Sequence, residues 1–177
     1  MSVENPQSQG MSYAQAGVDI EAGDKAVELF APLAKKATRP EVRGGLGGFA
    51  GLFALGTHYK EPLLAASSDG VGTKIDIARQ MEIYHTVGLD LVAMVVDDLV
   101  VCGAEPLFLQ DYISIGHVVP EKVAKLVEGI AEGCVRCGCA LLGGETAEHP
   151  GLMAPDEFDL AATGVGVVEA ADVLGPE

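Results

Sequence analysis

Tryptophan is absent and aromatic residues make up only 5% of the chain, so a packed interior must be built from Ala, Val, Leu and Ile. Basic side chains are scarce: 11 Lys and Arg stand against 26 Asp and Glu, a formal net charge of −15. No basic stripe breaks that balance locally. So acidic a chain repels phosphate backbones, which argues against nucleic acid and anionic membrane surfaces as partners. A polyphosphate stays accessible if a divalent cation stands between it and a carboxylate. Long apolar runs are lacking as well. The longest, Leu89 to Cys102, is broken by Asp90, Asp97 and Asp98 and does not suit a bilayer span. No basic segment followed by an apolar one opens the chain, so no secretory signal is read. Cys102, Cys134, Cys137 and Cys139 then read as thiols of a cytoplasmic protein.

What the chain does have is glycine, 23 residues in 177, which points to tight turns and to backbone lying close to a ligand. The length suits one domain. Residues Met1 to Gly10 are polar and are expected to be disordered. Ala22, Ala26, Leu29, Phe30 and Leu33 recur at helical spacing and predict a helix over 21–36, bent or shortened by Pro32. Arg39 to Gly48 reads as a Pro- and Gly-rich loop. Phe49 to Leu55 and Leu63 to Ser67 read as strands of a hairpin. Leu91, Val95 and Leu99 predict a helix over 86–102, stopped at Gly103. A strand follows at 107–115, then a helix over 120–137 opened by Pro120, with Val123, Leu126, Val127 and Ile130 inward. Strands at 140–142 and 159–168 complete the order. The expected architecture is α+β: a mixed, mainly antiparallel four-stranded sheet with helices on one face. No second set of helices covers the other face, so a partner sheet is expected there.

Three segments share one layout, in which an element's end meets glycine and a carboxylate. They are Ser67 to Lys74 (with Asp69, Gly70 and Gly72), Val96 to Leu99 ahead of Gly103 (with Asp98), and Gly143 to Glu148 (with Gly144 and Glu145). Hard cations take oxygen ligands, and magnesium keeps one or two carboxylates beside phosphate oxygens. Any one of these segments alone reads as solvated loop acid; three together point to a metal–phosphate site. Two other nucleotide signatures fail. Gly45 to Ala50 fits the loose dinucleotide pattern, but no strand precedes it. A P-loop needs Gly-Lys followed by Ser or Thr, whereas Lys74 follows Thr73 and precedes Ile75.

Several stretches together resemble the phosphoribosylformylglycinamidine cyclo-ligase family of purine biosynthesis. They are Ser12-Tyr13 with Ala16 to Ile20, Arg39 to Val42 with Gly44 to Phe49, Asp69 to Lys74, Gly88 to Met94, Gly103 to Phe108, and Gly143 to Glu148. The resemblance implies ATP-dependent phosphorylation of the amide oxygen of formylglycinamidine ribonucleotide, followed by attack of a substrate nitrogen and loss of phosphate. Phosphorylation makes chemical sense because the amide oxygen is otherwise a poor leaving group, and catalysis then rests on positioning and charge neutralisation. The resemblance implies ATP and magnesium as cofactors, with Asp69, Asp98 and Glu145 as metal and phosphate ligands. It casts Lys74 and Asp69 as catalytic and Gly44, Gly45, Gly47 and Gly48 as a phosphate-covering loop. Gly70, Gly72, Thr73, Gly143, Gly144 and Thr146 complete the implied ATP site, with Asp19 and Asp90 nearby. Asp97 departs from the family's usual Asn. The family's chains are about twice as long, so the implied domains are an arm over 1–18, an ATP-binding and dimerisation domain over 19–170, and the start of a linker over 171–177. A chain of this extent is expected to fold without turning over. The resemblance also implies a homodimer whose sheets close into a barrel.

Other tempting residues have plainer readings. Cys134, Cys137 and Cys139 invite a metal site but lack an evident fourth ligand, so small buried thiols are favoured. His58, His85, His117 and His149 are scattered and read as surface or structural. Asp111 and Glu148 read equally as cleft-facing or as satisfied loop carboxylates. Two alternatives to the cyclo-ligase stay open. One is another ATP-dependent small-molecule phosphorylating enzyme of the superfamily, such as thiamine monophosphate kinase or selenophosphate synthetase. The other is a non-catalytic dimerisation or nucleotide-binding module.

Overall fold

The computed structural model describes residues 12–45 and 50–175. Its elements are α1 (Ile20–Ala34), β1 (Val42–Arg43), β2 (Leu52–Phe53), β3 (Pro62–Gly70), α2 (Lys74–Met81), α3 (His85–Val101), β4 (Glu105–Ile115), α4 (Pro120–Cys137), β5 (Ala140–Glu148) and β6 (Phe158–Glu169). Of the arm read over 1–18, the described part forms a short 3-10 turn at Ala14–Ala16.

The main sheet has the order β3-β6-β4-β5. β6 pairs antiparallel with both β3 and β4, while β4 and β5 run parallel. A parallel neighbour requires a long return path, and α4 supplies it. The expected mixed, mainly antiparallel sheet of four strands is therefore present, with helices on one face. Period-2 alternation along β6 divides the faces. Phe158, Leu160, Ala162 and Gly164 are buried, and Asp159, Ala161 and Thr163 are exposed. The exposed face carries Leu64 at 65% and Tyr112 at 43% exposure, so large apolar groups stand uncovered on it.

The helices begin and end where their residues dictate. The Asp19 carboxylate caps α1 by accepting from the Ala22 N–H at 3.0 Å. Pro32 lies in the last turn, and the helix ends two residues later at Ala34. α4 starts at Pro120 and stops at Gly138, whose φ of 69° places it in the left-handed region. α3 and α4 cross with backbone against backbone. A Cβ on Gly129 would collide with the His85 carbonyl, and one on Gly133 would lie 2.8 Å from Val92 Cβ. Buried Leu91, Val92 and Val95 of α3 pack there with Val123, Leu126 and Ile130 of α4 in one cluster.

Three expectations are corrected. The hairpin of 49–55 with 63–67 does not form: β2 pairs with β1, and β3 pairs with β6. Arg39 fixes the small β1–β2 sheet in place, donating to Glu105 Oε1 (2.9 Å), the Pro106 carbonyl (3.1 Å) and the Gly138 carbonyl (3.3 Å). α2 was not anticipated, because Ala78 is its one buried residue while Ile77 and Met81 face solvent, leaving no apolar stripe to read. β5 continues past residue 142 through Gly143 and Gly144 to Glu148, since Gly144 stays in register with Asp111.

Candidate functional site

Asp69 lies near the end of β3, an edge strand backed by α3. Ala65, Ser67 and Asp69 alternate with the more exposed Leu64, Ala66 and Ser68, which turns the first three toward α3. After Gly70 the chain turns. Val71 is buried as an anchor, and Gly72 takes a φ of 59°, a conformation that disfavours any side chain. α2 then opens at Lys74. On α3, Asp90 and Asp98 are eight residues apart on one face, about 12 Å along the axis. Asp98 Oδ2 accepts from Ser67 Oγ at 2.8 Å, and Lys74 Nζ pairs with Asp90 Oδ2 at 3.3 Å. Asp69 Oδ1 accepts from the Gly70 N–H at 2.7 Å. This edge thus gathers three carboxylates and one ammonium, all in contact with water.

Glu145 lies elsewhere. The register runs from Gly70 to Ala161, to Tyr112, to Glu145. That is three strand spacings, about 14 Å, from one edge of the sheet to the other. Gly144 faces the helices, because a Cβ there would strike Asp111 Oδ1. Glu145 consequently turns to the open face beside Tyr112. Gly44 and Gly45 belong to this second edge too, lining a cleft of about 670 Å³ with Lys35, Arg43 and Leu142. Gly47 and Gly48 lie outside the described residues. The sequence expected Asp69, Asp98 and Glu145 to act as one ligand set. The structure places the first two on the same edge of the sheet, Asp69 on β3 and Asp98 on α3 against Ser67, and holds the third apart; no group of three metal-ligating side chains forms among the described residues.

The remaining candidates have definite places. Asp97 points away from β3 toward the end of α4, where its charge helps raise the Cys137 thiol, after burial as the main cause. Buried Cys134 hydrogen-bonds Cys139, which pushes the Cys134 thiol up and holds Cys139 down. Asp111 sits beneath α1 and α4, sharing a cavity of about 50 Å³ with Phe30, Ala34, Val127 and Thr146. Its residue surface is only partly covered, yet desolvation of the carboxyl raises it from 3.8 to about 7. Glu148, with a side chain only 4% exposed, accepts from the backbone N–H groups of Asp19 (3.0 Å) and Val118 (2.8 Å) and from His117 Nδ1 (3.0 Å). Sequence reasoning missed the His117–Glu148 pair because 31 residues separate its members.

A mixed sheet with helices on one face and an acidic strand–turn–helix edge places the chain in a recognised class of α+β domains. The thiamine-monophosphate kinase of Stenotrophomonas maltophilia K279a superposes with a TM-score of 0.64 at 19% identity, over 84% of this chain and 43% of the kinase. A hydrogenase maturation protein crystallised in complex with ATP superposes with a TM-score of 0.62 at 18% identity, over 85% and 41%. At such identities the likeness is one of fold. The sequence is more specific: the chain belongs to the family described as AIR synthase related protein, N-terminal domain, which matches residues 50–168. It is 56% identical over 166 residues to the phosphoribosylformylglycinamidine cyclo-ligase of Desulfitobacterium hafniense (strain DSM 10664 / DCB-2), covering 93% of this chain and 49% of that protein. With the enzyme of the same name from Geobacillus thermodenitrificans (strain NG80-2) it shares 56% over 159 residues, covering 89% and 46%. The chain therefore spans about half the length of the curated relatives it matches.

Proposed function

We propose that this chain forms the ATP-binding wall of a phosphoribosylformylglycinamidine cyclo-ligase, the enzyme that closes the imidazole ring of aminoimidazole ribonucleotide. The 56% identity to enzymes of that name supports the reaction. The observation that carries the site is the β3 edge, where Asp69 precedes a glycine turn, Lys74 follows it and Asp98 of α3 bonds Ser67 of the same strand. Among the described residues Lys74 is held only by an exposed pair with Asp90, an interaction worth about 0–1 kcal/mol, so a phosphate oxygen readily replaces that partner. Gly72, with open space where a Cβ would stand, lets a phosphate approach the backbone.

Magnesium fits this edge. It favours one or two carboxylates with phosphate and water oxygens completing its shell, and Asp69 and Asp98 are two such donors with uncommitted lone pairs. When bound, it would neutralise charge on the transferring phosphoryl group. The chain's own residues orient the phosphates, and Lys74 offsets the charge that develops on them. Glu145 and the Gly44–Gly45 turn would serve a nucleotide from the opposite edge. We place that second half beside the first by a two-fold homodimer whose open sheet faces, carrying Leu64 and Tyr112, pack together into a barrel.

Titration calorimetry with ATP and magnesium tests both statements. Asp69→Ala and Asp98→Ala are expected to weaken binding at least tenfold, as loss of a charge-assisted contact does. If the halves meet across the dimer, each mixed dimer of Asp98→Ala and Glu145→Ala chains holds one intact site. Random mixing then restores about a quarter of the sites. Undiminished binding in Asp98→Ala refutes the nucleotide edge, and no recovery on mixing refutes the shared site.

A further inference from the structure

The turn that ends α4 sets two cysteines against each other. Gly138 closes the helix at a φ of 69°. Its N–H donates to the Val135 carbonyl at 3.2 Å, and the Cys139 N–H donates to the Cys134 carbonyl at 3.0 Å. A helix stop of this kind brings the side chains on either side of the turn into contact, and that pair is commonly apolar. Here both members are thiols, Cys134 at 0% and Cys139 at 3% exposure. With a backbone hydrogen bond between them, ordinary bond lengths keep the two Cα atoms within about 7 Å, the span a disulfide can bridge. Among the described residues no group of three metal-ligating side chains includes them, which disfavours a zinc site.

Burial by itself makes a thiol inert, but this pair is polarised. The Cys134 thiol donates to Cys139 and holds it down, against the effect of burial. The Cys139 backbone N–H and Arg39, whose Nη1 donates to the neighbouring Gly138 carbonyl at 3.3 Å, act in the same sense. Cys137 goes the other way: partial burial, then the charges of Cys139 and Asp97, push its thiol up. Thiolate character therefore sits on an inner sulfur and not on its exposed neighbour. Residues 135–138, between the two cysteines, are all exposed, and helix ends open at least cost, so a small solute reaches the pair. We propose that Cys134 and Cys139 are an oxidative modification site, at which a small hydroperoxide closes a reversible disulfide between the last turn of α4 and the residue leading into β5. In the first step Cys139 sulfur attacks one peroxide oxygen and the O–O bond breaks. Hydroxide leaves and takes up the thiol proton as water, and Cys139 becomes a sulfenic acid. Cys134 sulfur then attacks Cys139 Sγ; the S–O bond breaks, and the departing hydroxide leaves with the Cys134 proton as a second water. Two thiols are oxidised, one peroxide is reduced, and the new bond clips α4 to the strand that carries Glu145.

The test is peptide mapping of the reduced 177-residue chain after treatment with hydrogen peroxide under native conditions, with remaining thiols alkylated. Trypsin cuts after Arg136 and so separates Cys134 from Cys139, and a disulfide rejoins the two peptides. The expected first product is that linked pair, lighter by two hydrogens and released by dithiothreitol, while Cys102 and Cys137 are recovered alkylated. Cys137→Ser, at an exposed position, should form the same link at an unchanged rate, which assigns the bond to Cys139. Cys134→Ser should leave Cys139 as a sulfenic acid that dimedone traps, and Cys139→Ser should slow oxidation of the remaining pair member by about tenfold or more, since the thiolate is gone. Should either inner variant fail to fold, the wild type and Cys137→Ser decide. A link that forms only in urea, one that needs Cys137, or first oxidation at Cys102 or Cys137 overturns the proposal. Neither ATP nor magnesium is added, so the outcome is independent of the nucleotide edge.

Discussion

Replacing Asp111 with Asn should flatten much of the pH dependence of stability and make the protein more stable above pH 7. The carboxyl lies under α1 and α4, where burial raises it from 3.8 to about 7. A raised carboxyl binds its proton more tightly in the folded chain than in the unfolded one. Between those two values the folded state therefore holds more protons, and stability falls as pH rises. Below about pH 4 both states are protonated and no penalty exists; above about pH 7 both are ionised and the penalty is complete. The interval corresponds to about 4 kcal/mol as an upper bound, and partial solvent contact of the residue reduces it toward half that figure. Asn keeps the volume and the polar end without the charge. Urea unfolding of both proteins at pH 5.5, 6.5, 7.5 and 8.5 measures the difference while staying clear of the sequence pI of about 4.5. Asp111 is not among the residues proposed to touch nucleotide, so binding does not confound the comparison. The expected result is a gap that widens in favour of Asp111→Asn with rising pH and levels off near pH 8. A gap that is constant across the series would refute the reasoning.

Two further outcomes follow from packing. Gly129→Ala drives a methyl into the His85 carbonyl at the α3–α4 crossing, so the helices must separate; thermal unfolding should show a loss of about 3 kcal/mol or more. Leu64→Lys places a charge on the open face of the sheet. If the proposed homodimer packs through this face, sedimentation at micromolar concentration should move from dimer to monomer, while the unfolding free energy of the monomer stays within about 0.5 kcal/mol.

The sequence announces the interior of this fold better than its edges. α3 and α4 were legible because their buried residues recur at helical spacing between clear stops, Gly103 and Pro120 to Gly138. β4 and β6 were legible as long β-rich runs. The pairing of β3 was not, because nothing local in residues 62–70 reveals a partner at 161–169, and the nearer apolar run at 49–55 made a plausible hairpin. Gly143-Gly144 read as a turn, although the second glycine remains in the strand to leave room for the Asp111 carboxyl. For the proposed site, Asp69, Lys74 and Asp98 are singled out by their glycine turns and the family resemblance. Their separation from Glu145 was invisible, since it depends on strand order, which no motif encodes. The His117–Glu148 pair is likewise a product of tertiary folding.

The place of β6 at the centre of the sheet has a consequence for biosynthesis. β3 finds its hydrogen-bonding partner in the last of the four strands to be made, with Pro62 aligned to Glu169. At about 5–20 residues per second, β3 waits on the order of 5–20 s on the ribosome for that strand to emerge. Meanwhile β4, α4 and β5 can assemble as a local unit, because α4 connects neighbouring strands directly. The arrival of β6 then joins an old strand to a young unit in one step. Until that step, Leu63 and Leu64 are exposed on an unpaired strand, which makes this interval the window in which a chaperone would matter most.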